Sequence, residues 1–538
     1  MSAWLVATGR SRQQRHPWKT STTMSHNLLG KTLMHRRIIL TRLLASGAGF
    51  APVSAQQTPR RGGKLIYAAA DVQTLDPQMI GDIPTSRIVM HLYETLVTQD
   101  PDGRIGPQLA TAWTTSDDGL AWTFTLRPGV LFHDGTSFNA MAVKATFERL
   151  RDPRTGSPRR SALEPVTAID VLDEHTIRLA TGKPYAPLIP TLSSYNLAIL
   201  SPTQMRTQGP LLREAPAGTG PFKLQRWDPG ERITIIRNEG YWGDVSLLDA
   251  IETRVVPEDS TRTLMLLSGQ ADVIAGVPTV MLPRLQSSPA VKVVRKTGYR
   301  TIYIGLNMAM KPFDDLRVRQ AVAHAIDVKA LLSGVLRGAG SLGGGLESPA
   351  INGAMQLPTY VFDPTLSRKL LAEAGLGQGF QTSLYVPTGR YTADRQLGEA
   401  IQAQLAGVGI RANLQTPEFG ALTSALGARD KTPMFLLGKG SPTGDLDFTM
   451  TLTVGSKGSI NYSNLVDPEI DKLLDQQRAM LDPEARTALL QQVQQRVYDQ
   501  VPVVVVSYEE QVFATRAVVH DVAVWANEFI SFKRAWKE

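Results

Sequence analysis

At 538 residues the chain is longer than one hydrophobic core usually organises, so more than one lobe is expected. Hydrophobic residues make up 42% and charged residues 20%, an ordinary globular composition that excludes wholesale disorder. The net charge of +8 lies wholly in residues 1–55, which hold eight Lys/Arg and no Asp or Glu and leave 49 basic against 49 acidic residues in the remainder.

That neutral remainder argues against a phosphate-backbone binder, so no nucleic-acid partner is expected. No run reaches the roughly 18 apolar residues that read as a membrane span. The absence of cysteine excludes disulfides, thiol catalysis, thiolate metal sites and a lipid-modified Cys anchor.

Residues 1–55 read as a cleavable leader. Met34-His35-Arg36-Arg37 supplies a positive stretch, residues 43–53 an apolar one, and Val53-Ser54-Ala55 a small-x-small cleavage site before Gln56. Arg36-Arg37-Ile38-Ile39-Leu40 also resembles a twin-arginine export signal. Sec-type and twin-arginine export both stay open, as do starts at Met1, Met24 or Met34.

Beyond the leader, 64–70 reads as a buried strand and 83–97 as a helix, with Ile88, Leu92 and Leu96 on one face. Asp100-Pro101-Asp102-Gly103 reads as a turn. Trp122, Phe124 and Leu126 alternate with polar residues as in a half-buried hairpin strand, and Asn139 suits the N-cap of a helix over 140–150. Two short strands flank Asp173-Glu174-His175, and Pro184, Pro187 and Pro190 predict an irregular segment. Strands follow at 232–238, 271–275, 303–307, 434–437 and 502–506, with helices at 261–268, 315–332, 365–374 and 393–406. Asp467-Pro468 and Asp482-Pro483 each open a further helix, since Asp caps and Pro loses nothing at the first helical position. The mixture is α/β.

Catalytic chemistry finds no support in these residues. The G-x-G-x-x-G match at Gly338–Gly343 follows a helix instead of a strand, so a plain loop is expected there. The five histidines after the leader, His91, His133, His175, His324 and His520, never stand at metal-ligand spacing, and no G-x-S-x-G elbow occurs. No catalytic residue, metal site or cofactor is therefore expected.

A family resemblance then enters through ordered motifs. Leu109-Ala110-Thr111-Ala112-Trp113, Ser116–Gly119, Trp122–Val130 and Phe132-His133-Asp134-Gly135 together resemble the signature of family 5 extracellular solute-binding proteins. Thr74–Pro77, Gly218–Phe222, Asn238–Trp242, Ser268–Asp272, Leu316–Asp327 and Asn461–Asn464 match in the same order. That family serves ABC importers of dipeptides, oligopeptides, glutathione and nickel.

The resemblance implies an α/β, two-lobe periplasmic-binding-protein (Venus flytrap) fold with an extra domain inserted in the first lobe. Its parts would be the leader (1–55), the first lobe (56–96 and 216–298), the inserted domain (97–215), the second lobe (299–505) and the C-terminal return to the first (506–538). The implied function is that of a periplasmic, monomeric, non-enzymatic carrier. It would hand a small peptide-like ligand to the permease subunits of an ABC importer in the inner membrane.

By the same resemblance the ligand-binding residues are Arg390, Tyr391, Gly440, Ser441, Thr443, Asp445, Asn461 and Tyr462. Arg390 matches the position where dipeptide binders grip a carboxylate, a task suited to a two-pronged guanidinium. The loop 438–445 departs from the family pattern twice: Lys439 replaces a Trp, and Pro442 replaces an Asp that pairs with a ligand amino terminus. A non-peptide cargo (metal chelate, opine or sugar derivative) is the alternative within this class. A periplasmic hydrolase or chaperone is the alternative outside it, and needs a nucleophile–base pair or an apolar groove.

Overall fold

The computed structural model describes residues 58–207 and 215–538. The expected leader, its cleavage site and the twin-arginine resemblance therefore lie outside the described residues.

One ten-stranded mixed sheet runs through the protein. At one end, Lys64–Ala69 pairs in parallel with Ala250–Val255, and the hairpin Phe222–Asp228/Arg232–Arg237 extends that edge. At the other end, Phe380–Tyr385 lies between Ile410–Gln415 and Met434–Lys439. Two long antiparallel strands, Val291–Leu306 and Val503–Arg516, join the two halves. Their pairing slips between Thr297 and Thr301, leaving Gly298, Tyr299 and Arg300 out of the ladder. There the Tyr299 N–H donates to the Ala526 carbonyl at 3.0 Å, and the Ser348 hydroxyl donates to the Gly298 carbonyl at 2.6 Å.

Period-two alternation explains how each half buries both faces of its sheet. Leu65, Tyr67 and Ala69 enter one core, while Ala68 enters another with Ile274 and Ala514. In the other half, Ile302, Ile304 and Leu306 pack on one face, and Tyr303, Phe435 and Leu437 on the opposite one. A third body, residues 97–199, has its own four-stranded antiparallel sheet and a core built on Phe124, Phe138 and Phe147. Two lobes on a shared sheet, one of them carrying an extra domain, make up the fold.

The family motifs turn out to be structural. Glu94 is buried and accepts hydrogen bonds from Tyr241 Oη (2.7 Å), Trp242 Nε1 (2.7 Å) and Thr219 Oγ1 (2.9 Å). Burial raises its carboxyl above the ordinary range, and those donors oppose the rise. Gly218 and Gly220 lie so close to the Leu92 and His91 carbonyls that a Cβ would collide with backbone.

Five expected elements differ. The helix over 83–97 ends at Val89, because Leu92 packs in the first-lobe core and Leu96 in that of the inserted domain. Their spacing serves two cores, not one helical face. The helix over 315–332 breaks at Ile326, which is extended, and Asp327 caps a new turn by accepting from Ala330 N. The proline-rich segment contains a short helix, Leu188–Leu192; Pro190 sits in its first turn, where an N–H has no partner to lose. The strands expected at 303–307 and 502–506 are parts of the long pair Val291–Leu306 and Val503–Arg516. The caps at Asn139, Asp467 and Asp482 are as expected, each side chain accepting from backbone N–H groups of its helix.

Candidate functional site

A cleft of about 630 Å3 opens where the lobes meet. Separate segments build it: the start of helix Ile83–Val89, Arg159 and Tyr195 of the inserted domain, the ladder gap at Tyr299–Arg300, the turn at Arg390, residues 438–442 and the turn 526–528. Its volume falls within the range of small-ligand sites.

The hinge side of the cleft is electrically closed. Arg300 Nη1 meets Glu509 at 2.6 Å, and its Nη2 meets Glu528 at 2.9 Å. Arg87 Nε donates to the Glu528 carbonyl at 2.9 Å. Glu528 holds this place with a left-handed backbone (φ 70°), an uncommon conformation for a residue with a side chain. Burial opposes the charge on Arg300, yet Glu528 and Glu509 hold its pKa above the ordinary arginine value. Burial raises the Glu509 carboxyl above its usual range, against the pull of Arg300.

The opposite wall is different. Gly389 takes a left-handed turn (φ 71°), and the Asp394 carboxylate then accepts from the backbone N–H groups of Arg390 (2.8 Å) and Tyr391 (3.1 Å). This presents the Arg390 side chain to the cleft. Its guanidinium lies over the Phe419 ring at 5.1 Å and the Tyr391 ring at 5.3 Å. Among the described residues it makes no ion pair with a carboxylate. Tyr391 is buried, and its hydroxyl donates to the Gly438 carbonyl at 3.2 Å. Gly438 is required by contact: a Cβ would lie 2.6 Å from the Tyr391 ring and 2.8 Å from Ile302.

Lys439, the first departure from the family pattern, points away from the cleft. It is buried in an ion pair with Glu347, whose Oε1 also accepts from Thr449 Oγ1 at 2.8 Å. Burial lowers the lysine pKa, and Glu347 opposes the drop. Pro442, the second departure, forms part of the cleft wall beside Gly440 and Ser441.

The expected site residues thus separate into three groups. Arg390, Gly440 and Ser441 line the cleft, with Tyr391 directly behind them. Thr443 lines a neighbouring cavity, and its carbonyl accepts from Gln99 Nε2 of the inserted domain. The remaining three are engaged in the second lobe itself. Asp445 caps the helix Leu446–Thr453 and takes two 2.7 Å bonds from Arg486. Asn461 spends its amide on the backbone of Gly455 and Leu465, and Tyr462 packs edge-on against Phe435. Sequence reasoning missed Arg87, Arg159, Arg300 and Glu528, which come together only in three dimensions. The expected boundary between the lobes at 298/299 was the one signal that could have pointed to Arg300.

Two lobes on one sheet, with a polar cleft at their junction, define a solute-binding protein of the two-lobe type. The comparisons agree. Residues 104–461 match the description "Bacterial extracellular solute-binding proteins, family 5 Middle", and the chain belongs to that family, which is made up of solute-binding proteins. Over 491 residues, 90% of this chain and 94% of the relative, it is 28% identical to the glutathione-binding protein GsiB of Salmonella typhi. It resembles the periplasmic binding protein DppA of Helicobacter pylori in complex with the peptide STSA (TM-score 0.75, 29% identity, 89% and 99% of the two chains). It also resembles NikA of Brucella suis in complex with Fe(III)-EDTA (TM-score 0.80, 26% identity, 88% and 100%).

Proposed function

We propose that this chain is the exported, periplasmic substrate-binding component of an ABC importer, and that it encloses a carboxylate-bearing peptide-like ligand. The observation that carries the reading is Arg390, a cation on the cleft wall without a carboxylate partner among the described residues. It shares the cleft wall with Gly440, which brings no side chain there and leaves room for a ligand beside the backbone. A guanidinium placed this way can hold a carboxylate with two parallel hydrogen bonds, while peptide N–H and C=O groups suit an amide-rich ligand. The names of relatives that bind glutathione and peptides support the same cargo class. In this reading the protein is a monomer without catalytic or metal chemistry, its partners are permease subunits in the inner membrane, and its lobes move about Gly298–Arg300 and the facing strand 505–508.

Thermal-shift screening of the mature chain against di- to pentapeptides and glutathione tests the proposal. Stabilisation by at least one is expected, with Arg390→Ala weakening its binding by about 10- to 100-fold, the size of a charge-assisted hydrogen-bonded contact. No stabilisation by any of them, or unchanged affinity in Arg390→Ala, removes the reading. A second reading, an anionic non-peptide cargo such as a metal chelate, draws on Pro442, which brings no carboxylate to greet an amino terminus. Fe(III)-EDTA in the same screen separates the two.

A further inference from the structure

We infer that the cargo site continues past Pro442 into a second chamber between the inserted domain and the second lobe, so that the cargo is elongated and ends in an apolar or aromatic group. This rests on the reading that a ligand enters the main cleft. The chamber encloses about 370 Å3, on the scale of a small-ligand site and far above the space of a single buried water. Tyr185 and Leu197 of the inserted domain contribute to one side, and Phe448 and Leu452 of the second lobe to the other. One hydrogen bond crosses the same seam, from the Ala186 N–H to the Arg478 carbonyl at 2.7 Å.

Asp447 and Arg478, which both line the chamber, balance one another. Asp447 is held by Arg478 at 2.7 Å and by Thr451 Oγ1 at 3.0 Å, so the space favours an uncharged group. Arg159 and Pro442 line both cavities, which places the two side by side. Arg159 makes no ion pair with a carboxylate among the described residues, although it lines both cavities. A guanidinium left without a carboxylate beside two cavities can take an acceptor of the cargo. The order along the cargo follows: a terminal carboxylate at Arg390, an acceptor or second anionic group at Arg159, then an apolar end among Tyr185, Phe448 and Leu452.

Isothermal titration with two probes decides the matter: an alanyl dipeptide, and the tetrapeptide that extends it with an N-terminal phenylalanyl-glutamyl unit. The tetrapeptide should bind about tenfold tighter, as burying one aromatic side chain would give. Ala162→Trp, which fills the chamber from its wall, should erase that gain and leave dipeptide affinity within about twofold. Arg159→Gln should reduce the gain as well, and serves if Ala162→Trp does not fold. Equal binding of the two probes, or a gain untouched by both variants, overturns the second chamber while leaving the main cleft standing. Binding of neither probe overturns the cargo reading and the inference with it.

Discussion

Two regions of the second lobe and hinge hold positive charge in opposite ways. On the hinge side of the cleft Arg300 is bound to Glu509 and Glu528, and behind the wall Lys439 is bound to Glu347, with most of their surface removed from water. On the wall itself, Arg390 rests on two aromatic rings and is exposed. A cation whose field is consumed by protein carboxylates holds the protein together. One whose field is left over can recognise something else. The distinction is sharper than residue type, since arginines stand on both sides of it.

Four variants test the comparison, beginning with the most enclosed charge. Glu347→Gln strands a buried lysine and should cost about 3–5 kcal/mol, read as a lowered midpoint in urea. The double change Lys439→Met/Glu347→Leu should recover most of that loss, because two apolar groups need no partner. If the single and double variants are equally unstable, the pair does not act as a charge pair. Arg300→Met should cost less, about 1–3 kcal/mol, since its cluster is partly reached by solvent and Glu509 can take up a proton. Loss of ligand binding with stability unchanged in Arg300→Met would move this arginine to the recognition side. Arg390→Ala should change stability by less than about 0.5 kcal/mol, and a larger drop would show that its aromatic stacking is structural.

Local chemistry was legible in the sequence and distant convergence was not. Helix starts at Asn139, Asp467 and Asp482 could be read because a cap acts over three residues. The hairpin strand at Trp122 could be read because alternation records burial directly. Leu92 and Leu96 misled because periodicity cannot reveal that two apolar residues belong to different cores. The helix Leu446–Thr453 went unread although its cap, Asp445, had been noticed and given to the ligand. A carboxylate beside a Gly-Pro-Thr loop looks the same in sequence whether it faces a solute or the Arg486 guanidinium. Arg390, Gly440 and Ser441, which line the cleft, were named from family resemblance. Arg87, Arg159 and Glu528 lacked even that, being far apart along the chain and brought to the cleft only by the fold.

The shared sheet also constrains the order in which the molecule can be made. Val273–Ala275 has Lys64–Ala69 on one side and residues 513–515 on the other, so its second neighbour is about 240 residues away in sequence. Until the C-terminal strand arrives, the first lobe has an open edge next to its own centre. A chain shortened before Val503 should therefore lose more than its last strand: both halves would keep unpaired backbone, ready to join a neighbouring chain. The pair of strands that unites the lobes makes the protein a late folder, completed only when its final segment is in place.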